Sequence, residues 1–215
     1  YNVANFLKNI DSSYASREKF YSAKKAEIQW SDDFDVYARA ALDFHHYSKK
    51  EIYPLAHLMR TGNDVYESLP KDYYFYRKTI DYNNTRLSGY MPFVTYLSHM
   101  LNNVAAIHYH NHYSPVDMAL RTNINKLNIA DTLIKDPTVK NIVLNNIAFT
   151  YLLEDQNMVN NQKFLDTYYK FATDKSKKNE IFKIGNAIQL LKSGNTLTDV
   201  DLVDKNNQPF ALSQI

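Results

Sequence analysis

A chain of 215 residues is long enough to bury a substantial hydrophobic core, as one domain or two small ones. Its 25 basic and 23 acidic residues leave a formal charge of +2, without the concentrated basic excess that a nucleic-acid surface needs. Cysteine is absent, which excludes a disulfide, a zinc thiolate site or a thiol nucleophile within these residues. With 4 glycines and 6 prolines against 18 tyrosines, the composition suits long helices joined by short connections, not an all-β or Rossmann-type chain.

Helical spacing begins at once. Val3, Phe6, Leu7 and Ile10 form one stripe over residues 2–13, and Phe20, Ala23, Ile28 and Trp30 form another over 16–30. Ser31 reads as an N-cap, with Asp32, Asp33 and Asp35 in the first turn of the next helix, where carboxylates meet the positive end of the dipole. Phe34, Tyr37, Ala38, Ala41, Leu42 and His45 make its apolar face. Pro54 is expected to limit that helix or start another, and Gly62-Asn63 to stop it. A short aromatic helix is expected over 71–80 after Leu69-Pro70, followed by a loop over 81–89. Pro92 opens the expected central helix, with Phe93, Leu97, Met100, Leu101, Val104 and Ile107 on one stripe.

Residues 87–116 carry no Asp, Glu, Lys or Arg. Pro92, Asn102, Asn103, His108, His110, Asn111 and His112 interrupt them, and such groups are expensive in hydrocarbon, so a buried helix is expected and not a membrane span. Ser114-Pro115 starts a helix reaching about Lys135, with Ala119, Leu120, Ile124, Leu127 and Leu133 inward. Asp136-Pro137 caps the next, carrying Ile142, Leu144, Ile147, Ala148, Tyr151 and Leu152. Asn160-Asn161 is read as a separator before Phe164, Leu165, Tyr168 and Phe171. Asp174 caps a last helix bearing Ile181, Ile184, Ile188 and Leu191, which Gly194 closes. The expected fold class is all-α, an irregular helical bundle or α-hairpin array with a short C-terminal β-hairpin-like tail. In that tail Val200, Leu202 and Val203 precede a turn at Asn206-Asn207, and Phe210 and Leu212 follow it.

Few residues suggest chemistry. On a helix His108 and His112 lie one turn apart and could share a metal, but the run has no acidic residue and no nameable third ligand. The alternative is that these imidazoles cap the negative end of the central helix. His45, His46 and His57 lie on another helical stretch. The acidic groups at Asp32, Asp33 and Asp35 and at Glu154 and Asp155 sit at helix ends, where solvated capping accounts for them. Tyr73, Tyr74, Tyr76, Tyr168 and Tyr169 could line a groove for an extended peptide or glycan, or fill helix interfaces with the ring inward and the hydroxyl wet. No catalytic residue and no cofactor is assigned.

The tail TLTDVDLVDKNNQPFALSQI resembles the segment that opens the thioredoxin-like domain of the TlpA/ResA family of bacterial envelope thiol-disulfide oxidoreductases. Asp201, Leu202, Asp204, Pro209, Leu212 and Ser213 match, while Asn207 replaces the usual turn glycine. Leu69-Pro70-Lys71-Asp72-Tyr73-Tyr74, Asn84-Thr85-Arg86-Leu87 and the long Tyr- and Asn-rich helices are similar to the accessory region preceding that domain in larger Bacteroidetes members. The resemblance implies an accessory domain over 1–194 and the opening strands of a thioredoxin-like domain over 195–215. It also implies a Cys-x-x-Cys beyond Ile215 and a periplasmic or cell-envelope location. The implied partners are the thioredoxin-like domain itself and either protein substrates or a second copy of the chain. A free-standing, tetratricopeptide-like binding module for a peptide or glycan is the second expectation, and a His-cluster metalloprotein the third.

Overall fold

The computed structural model describes residues 2–107, 115–154, 157–190 and 199–214. Within them seven α-helices precede a two-stranded hairpin: α1 (Val3–Ile28), α2 (Asp32–Thr61), α3 (Met91–Ile107), α4 (Pro115–Leu133), α5 (Pro137–Glu154), α6 (Met158–Phe171), α7 (Lys175–Leu190), β1 (Asp201–Val203) and β2 (Pro209–Ala211). The expected all-α class with a short β tail is the observed one. No helix among the described residues is long and apolar enough to cross a membrane. His108, His112, Leu191 and Gly194 lie outside the described residues.

Local chemistry sets most boundaries. The Asn2 side chain accepts from the Asn5 amide, and Ser31 Oγ accepts from the Phe34 amide, so each helix starts with one orphan donor satisfied. Gln29 and Gly62 end α1 and α2 in the left-handed region, at φ 52° and 72°. Asp136 accepts from the Thr138 and Val139 amides, and Asp174 from those of Ser176 and Lys177.

Five expectations need correction. The first two stripes belong to one continuous helix, α1, because Asp11-Ser12-Ser13 offers a cap but no glycine or proline to force a break. Pro54 lies inside α2 and is buried there. The aromatic segment is not an α-helix: residues 71–74 turn, and Phe75–Thr79 is a 3₁₀ helix. Asn160 and Asn161 do not separate helices; both are buried in α6, whose cap is Asn157, accepting from the Val159 and Asn160 amides. Ala119, expected inward, is exposed.

The expected central helix is central. Phe93, Tyr96, Leu97, Leu101 and Ala105 of α3 are shielded from solvent, and α3 packs on α2, α4 and α5. Tyr37 lies against Tyr90, Phe44 against Phe93, and Glu51 against Asn103, so α2 and α3 run in the same direction. Parallel neighbours need a long return. Residues 63–90 supply it through three short 3₁₀ turns, tied back to the start of α2 by Arg86 to Asp33 and by the Tyr37 hydroxyl donating to the Arg86 carbonyl. The remaining helices pack mutually, α4 on α5 and α6, and α7 on α5 and α6.

In the tail, Asp201 pairs with Ala211, Leu202 with Phe210 and Val203 with Pro209, antiparallel. Asn207 takes the turn's left-handed position at φ 62°, as its side chain tolerates. The Asp204 carboxylate collects the Asn206 and Gln208 amides, which hold it below the usual carboxylate range.

Candidate functional site

The core uses only one side of α2. Ala40, Phe44, Ser48 and Glu51 face inward. The neighbouring stripe of Phe34, Ala38, Ala41, Leu42 and His45 faces a trough of about 940 Å³, open along its length. One wall is α1, through Arg17, Phe20, Lys24 and Ile28; the other is the start of α3, through Met91, Thr95 and His99. Phe20 is 65 % exposed, Ile28 60 %, Phe34 54 % and Met91 67 %, a degree of uncovering that single surface apolar residues reach but a contiguous row seldom does. Lys49 and Ile52 also border a second hollow of about 310 Å³ beside Phe6 and His57, so the apolar strip continues along α2.

The rim has one sign. Arg17, Lys24 and Lys49 line the trough as cations beside the imidazoles of His45 and His99, and none of its described lining residues is acidic. Lys24 pairs with Glu27 at 2.6 Å, whereas Arg17 and Lys49 make no ion pair among the described residues. Burial pushes His99 down from its usual range, and its buried Nδ1 has no hydrogen-bond partner.

A carboxylate knot fixes the closed end of the trough. Asp35 accepts from Lys25 Nζ at 2.6 Å, Tyr21 Oη at 2.6 Å and Trp30 Nε1 at 2.8 Å, joining α1 to α2 across their turn. These bonds, the Lys25 one foremost, hold its carboxyl at about 2. A depressed carboxyl stabilises the fold above the ordinary carboxylate range, and that contribution disappears as pH falls through about 2. The emission of Trp30, the only tryptophan, is therefore expected to titrate with an acid midpoint near 2. In Asp35→Asn that transition is expected to be absent; a wild-type midpoint near the ordinary value would contradict the knot.

Further along, Arg39 bridges the same two helices, reaching Glu18 at 2.6 Å, Asp43 at 2.9 Å and the Tyr14 hydroxyl at 2.9 Å.

Behind the trough lies a second cluster that the sequence did not announce. Glu51 has no solvent contact at its side chain and accepts from Tyr76 Oη at 2.6 Å, Arg77 Nε at 2.8 Å, Arg77 Nη2 at 2.5 Å and Asn103 Nδ2 at 2.7 Å. Tyr74 stacks on the Arg77 guanidinium, centroid 3.8 Å away, and shares Asn103 with Tyr66. Burial opposes the Arg77 charge, but the Glu51 bonds more than offset it, so the guanidinium binds its proton more tightly than usual. Burial and then the Glu51 charge push the Tyr76 phenol far above its usual range. With the Glu51 side chain fully shielded and its carboxylate bonded to Arg77, Tyr76 and Asn103, this pair positions helices. The one available signal was Glu51 falling in phase with Phe44, Tyr47 and Ser48.

The expected tyrosines are dispersed. Tyr73 is 2 % exposed and Tyr168 fully buried, so neither presents its ring to a ligand. Tyr73 has a structural task. Pro54 has no N–H to give the carbonyl four residues back, and the Tyr73 hydroxyl donates to that carbonyl, of Lys50, at 3.0 Å. Tyr74 and Tyr76 are half-buried around Glu51, and Tyr169 is half-buried on α6, packed on Tyr168. His46 reaches Asp11 at 3.4 Å, and His57 bonds to Thr61 and the Asn63 carbonyl. Among the described residues no three His, Asp or Glu side chains gather as a metal site. Comparisons with protein-family models, with curated proteins and with solved structures find no match to this chain.

Proposed function

We propose that the helical body is a non-catalytic interaction domain and that it serves as the accessory part of a cell-envelope thioredoxin-like thiol-disulfide oxidoreductase. The observation that carries the binding role is the trough: a continuous apolar strip on α1, α2 and α3 that the fold leaves uncovered, beneath a cationic rim. Cysteine is absent from these residues, so they carry no dithiol chemistry of their own.

The accessory role rests on the resemblance of the tail to the opening of a TlpA-like domain. The hairpin's form is compatible with it. Val200 is 48 % and Val203 64 % exposed, and no further strand joins either edge among the described residues. Two strands alone are marginal in water and gain stability by entering a larger sheet. Reading the gene downstream of Ile215 tests this directly: a Cys-x-x-Cys soon after the hairpin is expected, together with thiol-dependent reduction of insulin by the product. A reading frame without that motif refutes the oxidoreductase assignment.

A further inference from the structure

We propose that the trough seats an amphipathic α-helix of another protein, one whose apolar face is flanked by acidic side chains. The proposal deepens the binding-domain reading and rests on it; it does not depend on the dithiol chemistry.

Shape argues for a helix. The α2 floor from Phe34 to Ile52 is about 27 Å long, the length of a helix of about 18 residues. Its lining residues recur at three- and four-residue steps, as do Arg17, Phe20, Lys24 and Ile28 on α1 and Met91, Thr95 and His99 on α3. Ridges at that spacing accept the ridges of another helix. Ala38, Ala41 and Ser48 keep the floor low, which lets a partner axis approach to about 8–10 Å.

Charge selects the partner. Arg17 of α1 and Lys49 of α2 lie together beside His45 near one end, and Lys24 stands on α1 toward the other, with no acidic lining residue between them. Carboxylates along the edge of an incoming helix that faces α1 would meet these cations, steering association more than adding affinity. A second copy of this chain, docking by the same face about a two-fold axis, would bring one cationic rim against another.

The test uses the whole chain and synthetic peptides of about 18 residues, with Leu and Phe on one helical face and either Glu or Lys on its flanks. Trp30, itself part of the lining, reports occupancy through its emission, and labelled-peptide anisotropy gives the affinity. The Glu peptide is expected to bind at least about tenfold more tightly than the Lys peptide at low salt, with the gap narrowing at high salt. Phe20→Ser and Ile28→Ser, exposed in the free protein, are each expected to weaken binding by about tenfold with unchanged circular dichroism. Ala41→Trp, which raises the floor, is expected to abolish it.

Equal binding of the two peptides, binding indifferent to these variants, or no binding of either would overturn the proposal. So would a concentration-dependent dimer that Ala41→Trp dissolves, which would assign the trough to a second copy. Peptide binding that persists where the gene encodes no Cys-x-x-Cys would sink only the oxidoreductase assignment. An active oxidoreductase that ignores the peptides would sink only this one.

Discussion

Arg77→Met is expected to destabilise the protein by about 3–5 kcal/mol, the cost of leaving one member of a buried ion pair without its partner. The side chain of Glu51 is fully shielded, and two of its four hydrogen bonds come from Arg77. Methionine preserves length and apolar contact with Tyr74 but leaves a carboxylate facing protein with half its donors gone. The same lesion loosens the return segment, because Arg77 belongs to the 3₁₀ helix that ties residues 63–90 to α2. Urea unfolding followed by far-ultraviolet circular dichroism measures the loss. The double variant Glu51→Gln/Arg77→Met removes both charges while keeping an acceptor for Tyr76, and it is expected to be more stable than Arg77→Met alone. A loss below about 1 kcal/mol for the single variant would show that the pair is solvated and that its burial has been misread.

Tyr168→Ala is expected to cost about 3–5 kcal/mol, the range for emptying the space of a large aromatic in a packed core. Its ring is fully buried in the cluster shared by α2 to α7, and its hydroxyl reaches Asn145 at 3.2 Å. Tyr168→Phe keeps the ring and loses that bond, for which about 1 kcal/mol is the expected effect. Thermal and urea unfolding of the pair separate ring from hydroxyl. Small effects from both would return Tyr168 to the surface, where the sequence had offered it as a binding residue.

What the sequence made legible was local chemistry. Ser31, Asp136 and Asp174 announced helix starts because a short oxygen side chain before an apolar stripe has one obvious donor to satisfy. Asn206-Asn207 announced the turn because one of them had to take positive φ. Pro54 misled because its lost hydrogen bond is made good by Tyr73, a partner distant in the chain that no local rule supplies. Asn160 and Asn161 misled because polar residues signal a boundary only where water can reach them, and packing against the other helices buries both.

The trough was half visible. Its stripe, Phe34 to His45, was read correctly as an apolar face of α2, and Phe20 and Ile28 were read as helical apolar positions, which α1 carries. Periodicity reveals that a face is apolar and not whether a neighbour covers it. The core instead took the adjacent face through Phe44 and Glu51, which left the more conspicuous stripe open.

The shared direction of α2 and α3 has a kinetic side. Antiparallel neighbours joined by a few residues, such as α4 and α5, can meet as soon as both have coiled, and they contribute little to contact order. The α2–α3 seam must instead wait for residues 62–90 to close a loop, with entropy lost before any contact repays it. Refolding is therefore expected to assemble the C-terminal helices first and to zip the seam afterwards, so that amides of α2 gain hydrogen-exchange protection later than those of α5.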